Sequence, residues 1–268
     1  MSTTVVEPRG HPVITGRLAA LSLLLPFVAP VLLLALWFAV SELGLAPALL
    51  VPSPGAAFGS LYTLLITGDL LPDIGASLWR WAAGYALGCA IGMPIGLLIG
   101  SSPAVYRSSF PLLDFLRSLP VTALFPLFLL LFGIGDSSKI AMAFAATVFV
   151  VILNSAYGVL QAKQSRIRAA KVFGASRQQI FRWVIFFEAL PQTLVGMRTA
   201  LSLALIVVIV SEMFIGTQVG LGQRIFDAYT VNLTEELYAV LLLTGFLGYI
   251  MNRLFVSAER RIVFWAGQ

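Results

Sequence analysis

The stretch SLWRWAAGYALGCAIGMPIGLLIG, residues 77–100, carries glycine at 84, 88, 92, 96 and 100, and its one charged side chain is Arg80. A helix rises about 1.5 Å per residue, so roughly 20 mostly apolar residues cross a hydrocarbon layer about 30 Å thick. This run has the length of a membrane span. At a four-residue interval the glycines form one smooth stripe, where a neighbouring backbone approaches closely although lipid supplies no hydrophobic drive. The stripe fits two readings: tight packing within one subunit, or the lining of a moving interface. Pro94 lies inside the run and is expected to kink it.

The whole chain agrees with this reading. Its 268 residues are 59% hydrophobic and 11% charged, with mean hydropathy +0.95. A soluble domain has about 25% charged residues, so this chain could not cover a water-facing surface. Further spans are predicted over Leu18–Val40, Leu119–Phe132, Ile140–Leu160, Leu194–Ile215 and Leu237–Val256. The expectation is an all-α membrane protein with about six transmembrane helices: a tail over 1–17, then one transmembrane domain over 18–268. The first apolar run exceeds the ~7–15 residues of a signal-peptide core, so it is read as a retained helix. The loop over residues 41–76 holds AFGSLYTLLI, too short to cross, as an interfacial helix or a solvated loop.

Six spans leave both termini on one side, and basic residues choose the side. With the amino terminus inside, the inner segments hold Arg9, Arg17, Arg107, Arg117, six bases from Lys163 to Arg182, Arg253, Arg260 and Arg261. The outer segments hold Lys139 and Arg224. That excess makes the termini and the segment 161–192 cytoplasmic. The net charge of +5 therefore reports topology, and no basic patch free of flanking spans points to nucleic acid.

Polar residues within spans are costly and often functional. Asn154, Ser211 and Glu212 are candidates for a pathway. Glu212 fits a pathway, an internal pair or the outer end of its helix. Arg80 and Arg198 are read as snorkelling from span ends. The sequence offers no catalytic set and no metal site: His11 stands alone in a polar tail and Cys89 is the single cysteine. GTQVGLGQR, residues 216–224, lacks the Lys and Ser/Thr of a phosphate loop. Energy for active transport must come from a partner or from an ion gradient with Glu212 as its carboxylate. A membrane scaffold without transport is the third class.

Against this apolar background, RIRAAKVFGASRQQIFRWVIFFEALPQ, residues 166–192, is basic and helix-forming. Gly174 suits the left-handed position that ends a helix. Ser176 and Gln179 form a Ser-x-x-Gln capping box for a second helix, and Leu190-Pro191 is expected to break the chain before the fifth span. Two short helices at a sharp angle result. They fit docking into a partner's groove, through Ala169, Ala170, Gly174 and Ser176, or a basic loop resting on anionic lipid.

The pattern AAKVFGAS followed by LPQTLVGMR resembles the Ala-Ala-x-x-x-Gly signature of permease subunits of bacterial ATP-binding-cassette (ABC) importers. LVPSPG, the run from Ala76 to Gly100, PLLDFLRSLPVTALFPLFLLLFGIGDSSKI, GMRTALSLALIVVIVSEM and VGLG extend the similarity from Leu50 to Trp265, toward the nitrate, sulfonate and taurine branch. The resemblance implies coupling helices formed by Arg168, Ala169, Ala170, Gly174, Ala175, Ser176, Leu190 and Pro191. It also implies two cytoplasmic ATPase subunits that bind ATP and Mg, an extracytoplasmic substrate-binding protein and a second permease copy in a homodimer. The setting it implies is a bacterial inner membrane. This chain would bind no cofactor itself. Arg168 stands where the family pattern has an acid, Phe187 where it has an extra proline, Glu188 where it has a small residue, and Gln223 where it has an aromatic.

Overall fold

The computed structural model describes residues 16–47 and 49–265, with side chains from residue 27 onward. The expected tail over 1–17, with Arg9 and His11, lies outside the described residues except for the backbone of 16 and 17. The chain divides into two compact units, residues 1–57 and 58–268. In the first, α1 (Gly16–Glu42) is a 27-residue helix of largely apolar sequence. The indole N–H of Trp37 donates to the Pro52 carbonyl at 2.9 Å, which ties the following segment back to this helix. Ser53 then caps α2 (Pro54–Thr67), most of which belongs to the second unit, by accepting from the Ala56 N–H, with proline at the first helical position, where its missing N–H costs nothing.

In the second unit, α3 (Leu71–Gly100) begins six residues before Ser77 and runs on through Pro94 as one 30-residue helix. Ser102 caps α4 (Pro103–Ser118), accepting from the Val105 N–H. A short 3-10 turn (Val121–Leu124) and α5 (Phe125–Phe132) follow, and this pair meets α4 at 77°. The predicted third span over Leu119–Phe132 is thus a 3-10 turn followed by a short helix, and the bend falls at its start, between it and α4. Pro120 forces Leu119 out of the helical region, to ψ 127°, and the chain turns there.

The long helices α6 (Asp136–Leu160), α9 (Phe186–Ile215) and α11 (Thr234–Ile262) complete the unit with three short ones, α7 (Gln164–Val172), α8 (Arg177–Ile180) and α10 (Leu221–Thr230). Helix α8 does not stand apart from α9. One π-helical turn, Phe181–Ile185, joins them into a continuous 39-residue helix. Among the described residues, four helices are long and apolar enough to cross a membrane, or five if the bent α4–α5 pair counts as one span. The chain is an all-α membrane protein with several such helices.

Helix α6 is the centre of the core and packs along its length against α3 and α9. The glycine stripe decides one of these contacts. A methyl group added at Gly84 would sit 2.5 Å from Ala143 Cβ, at Gly88 2.5 Å from Thr147 Cβ, and at Gly96 2.4 Å from the Ile152 carbonyl oxygen. One at Gly92 would lie 2.9 Å from the Val148 carbonyl oxygen and one at Gly100 2.6 Å from that of Ala156. The stripe therefore lies on α6 of the same chain, backbone against backbone. Gly158 of α6 is pressed in the same way onto Ala189 of α9.

Candidate functional site

At one end of the long helices the basic segment forms a capped hinge. Helix α7 ends at Val172 with Phe173 at its C-cap, and Gly174 takes φ +78°, the left-handed region that disfavours a side chain. The Gly174 N–H donates to Lys171 O at 3.0 Å and the Ala175 N–H to Ala170 O at 3.0 Å. These two bonds satisfy carbonyls that a helix end leaves orphaned. Ser176 and Gln179 then exchange both capping-box bonds: Ser176 N–H to Gln179 Oε1 at 2.8 Å, and Gln179 N–H to Ser176 Oγ at 3.3 Å. The backbone is thereby satisfied within the hinge, while its surface is not covered. Arg168, Ala169, Gly174 and Ser176 are exposed, Ala170 and Ala175 half-buried, and Val172 and Phe173 are 86% and 89% exposed.

The hinge gathers Arg168, Ala169, Ala170, Gly174, Ala175 and Ser176 into one small element. It does not gather Leu190 and Pro191, which stand half-buried inside α9. The expected break at Leu190-Pro191 is absent. Proline removes one N–H donor, a loss that membrane helices tolerate where neighbouring segments support them, and Ala189 beside it is fully buried against Gly158.

At the other end of α9 the segment 216–222, read as a failed phosphate loop, wraps a buried ionic knot. Glu212 is fully enclosed. It accepts from Arg80 Nη1 at 2.6 Å, from Ser77 Oγ at 2.8 Å, and from the Gly222 N–H at 2.9 Å. Arg80, 4% exposed, also donates from Nε to Asp136 at 2.8 Å, from Nη1 to the Val219 carbonyl at 2.8 Å and from Nη2 to Thr217 Oγ1 at 3.0 Å. Asp73 accepts from the Gly220 N–H at 2.7 Å, and Ser77 Oγ from the Leu221 N–H at 2.9 Å. Lys139, assigned from sequence to an outer segment, is fully buried, its ammonium on the carbonyls of Ile134 and Gly135.

The snorkelling reading of Arg80 is therefore corrected: the guanidinium faces inward and is satisfied by protein. A charge in an apolar helix must find a partner, and the partner is the one carboxylate deep in α9. Asp73, Ser77, Thr217 and Lys139 were missed in the sequence. A signal was present, because Asp73, Ser77 and Arg80 continue the face of the glycine stripe at helical spacing.

The remaining pathway candidates fall in different surroundings. Ser211 is buried and donates to Val208 O at 2.7 Å. Asn154 sits between α6 and α9, donating to Val150 O at 2.8 Å and accepting from Gln192 Nε2 at 2.9 Å, with Gly196 against its side chain. It also lines a cleft of about 770 Å³ between α4, α6 and α9, with Tyr106, Asp114, Arg117, Tyr157 and Thr199. Neither Ser211 nor Glu212 reaches that cleft. Arg198 is exposed and donates to Asn252 Oδ1 at 2.9 Å. Among the described residues no group of three His, Cys, Asp or Glu could hold a metal ion.

Comparison with known proteins agrees with this architecture. The family described as binding-protein-dependent transport system inner membrane component matches residues 92–263. A probable ABC transporter permease protein of Brucella melitensis is 33% identical, over 85% of this chain and 92% of that protein. The taurine transport system permease protein TauC of Escherichia coli is 30% identical, over 88% of this chain and 87% of its own length. The putative aliphatic sulfonates transport permease protein SsuC of Bacillus subtilis is also 30% identical, over 88% of this chain and 85% of its own. A chain of the MetNI methionine ABC transporter, solved in an inward-facing conformation, shares the fold with a TM-score of 0.62 at 22% identity, over 74% of this chain and 96% of that chain. On the family match and the similarity along most of its length, this chain belongs to the binding-protein-dependent transport system inner membrane components: it is a membrane permease subunit of an ABC-type importer, and ATP hydrolysis resides in a separate partner.

Proposed function

We propose that two copies of this chain form a homodimeric permease in a bacterial inner membrane, with ATP-binding-cassette ATPase subunits docked on the hinge at 161–188 and a substrate-binding protein on the opposite face. The six spans would be α1, α3, the bent α4–α5 pair, α6, α8 with α9, and α11. The excess of basic residues then puts both termini and the hinge in the cytoplasm. Relatives named for aliphatic sulfonates, taurine and nitrate favour a small sulfonate or nitrate-like anion as the solute; a vitamin precursor is the other class that the resemblance implies.

The observation that carries this reading is the hinge itself. Its backbone is capped on both sides of the Gly174 turn, its apolar tip Val172-Phe173 is bare, and its far end runs without interruption into α9. A partner that moved the tip would move the span. Arg168, Ala169, Ala170, Gly174, Ala175 and Ser176 then make the contact, while Leu190 and Pro191 act from within the helix. The ion-gradient alternative finds less support, because Glu212 already has donors on both oxygens and no exposure.

Replacing Gly174 by Asp places a charged side chain at a left-handed position on the contact surface. The Gly174→Asp protein is expected in the membrane at wild-type abundance, with ATP hydrolysis retained and solute uptake reduced at least tenfold in proteoliposomes. Normal uptake at normal abundance contradicts the assignment.

A further inference from the structure

We infer that Phe187 and Glu188 form a strut at the foot of α9 that joins α7 and the end of α11 to that helix as one body, so that displacement of the hinge reaches the spans undiminished. This rests on the reading of the hinge as the ATPase contact, and makes Glu188 a positioning residue for coupling.

Helix α7 lacks a cap of its own. Lys163 occupies the capping position and its side chain makes no capping bond. The first N–H groups of a helix need acceptors and favour negative charge. Glu188, from the first turn of α9, supplies both. Its Oε2 accepts from the Lys163 N–H at 3.4 Å, and its Oε1 is paired with the Arg166 guanidinium. The carboxylate is only 11% exposed, and it is the one acid between residues 161 and 192. Helix α7 is thus capped in trans, across 22 to 25 residues of chain, by the helix that it would have to move.

The neighbouring residue makes the second tie. The Phe187 ring meets Trp265 edge to face, with centroids 5.7 Å apart at 65°, and Trp265 meets Phe264 in the same manner at 5.2 Å and 88°. Trp265 lies just beyond the end of α11 at Ile262. Arg166, Trp183, Val184, Phe187, Glu188 and Trp265 surround one cleft of about 300 Å³ where the three segments meet. Consecutive residues of α9 therefore hold α7 by charge and the end of α11 by ring contact. These are two of the positions at which this chain departs from the family pattern.

The test uses the assembled transporter, with its ATPase, in lipid nanodiscs for hydrogen exchange and in proteoliposomes for uptake. Glu188→Gln is expected to speed exchange of the α7 amides, residues 164–172, at least fivefold. It should raise the ATP hydrolysed per solute imported at least threefold, with the permease at normal abundance. Glu188→Asp keeps the carboxylate and should return both values to within twofold of wild type. Trp265→Ala cuts the other tie and should raise the ATP cost per solute without faster exchange in α7.

Wild-type exchange and stoichiometry in Glu188→Gln overturn the strut. So does a general loss of protection along the chain that Glu188→Asp does not rescue. The two levels separate cleanly. If Gly174→Asp uncouples transport and Glu188→Gln does not, the strut is wrong and the hinge assignment stands. If Gly174→Asp fails to uncouple, the hinge assignment itself is wrong.

Discussion

The loop that precedes α8 and α9, around Gly174, and the loop that follows α9, around Gly220 and Gly222, both turn the chain on glycines, with φ +78° at Gly174 and +156° at Gly220. They use them differently. A methyl group built at Gly174 would meet nothing within 4 Å, whereas one at Gly220 would lie 2.7 Å from Glu212 Cδ and one at Gly222 would lie 2.1 Å from the Ile209 carbonyl oxygen. Charges follow the same division. Around Gly220 Arg80 and Glu212 are buried and paired with one another. Around Gly174 the bases are exposed, and among the described residues only Arg166 has an acid beside it. The Gly220 loop is finished within the chain. The Gly174 loop has a capped turn and an open surface, the condition of an element built to receive another molecule.

Substitutions can break or sharpen that contrast. The largest effect is expected from Glu212→Ala, which leaves Arg80 buried without its main partner. Breaking such a pair on one side costs about 3–5 kcal/mol, so the purified permease should lose most of its resistance to thermal unfolding. A variant as stable as wild type would mean that the knot is slack. A middle effect is expected from Gly222→Ala, where the added methyl presses on α9 backbone; overpacking of this kind costs about 1–3 kcal/mol. The smallest belongs to Gly174→Asn. Asparagine accepts the left-handed conformation with little strain, so its unfolding temperature should match wild type within error, in the same assay that separates Gly222→Ala. Equal losses at the two glycines would erase the distinction between an enclosed loop and an open one.

How far these features could be read in advance depends on how local their causes are. The hinge was legible because caps are short-range chemistry: Gly174 for the left-handed turn, and Ser176 with Gln179 for the capping box. The glycine stripe was legible because a four-residue interval fixes a helix face, although the choice of α6 as its partner was not. One break was misjudged, and it involves proline: Pro191 leaves α9 unbroken, beside Ala189 packed on Gly158 of α6. Pro120 by contrast marks the start of the third apolar run, where the chain turns from α4. The ionic knot was not assembled, since Glu212 lies more than 130 residues from Ser77 and Arg80 in sequence. Lone opposite charges in two apolar helices were the clue, and the reading as a snorkelling arginine passed over it.

The central claim is that the bare tip of the hinge is the surface on which a separate ATPase acts. It is tested most directly by placing a cysteine at Phe173 in a Cys89→Ser background and cross-linking the transporter purified with its ATPase. A cross-link from position 173 to the ATPase subunit, whose yield changes when ATP is bound, is the expected result. Full ATP-driven uptake with position 173 joined only to a second copy of the permease, or to nothing, would contradict the claim.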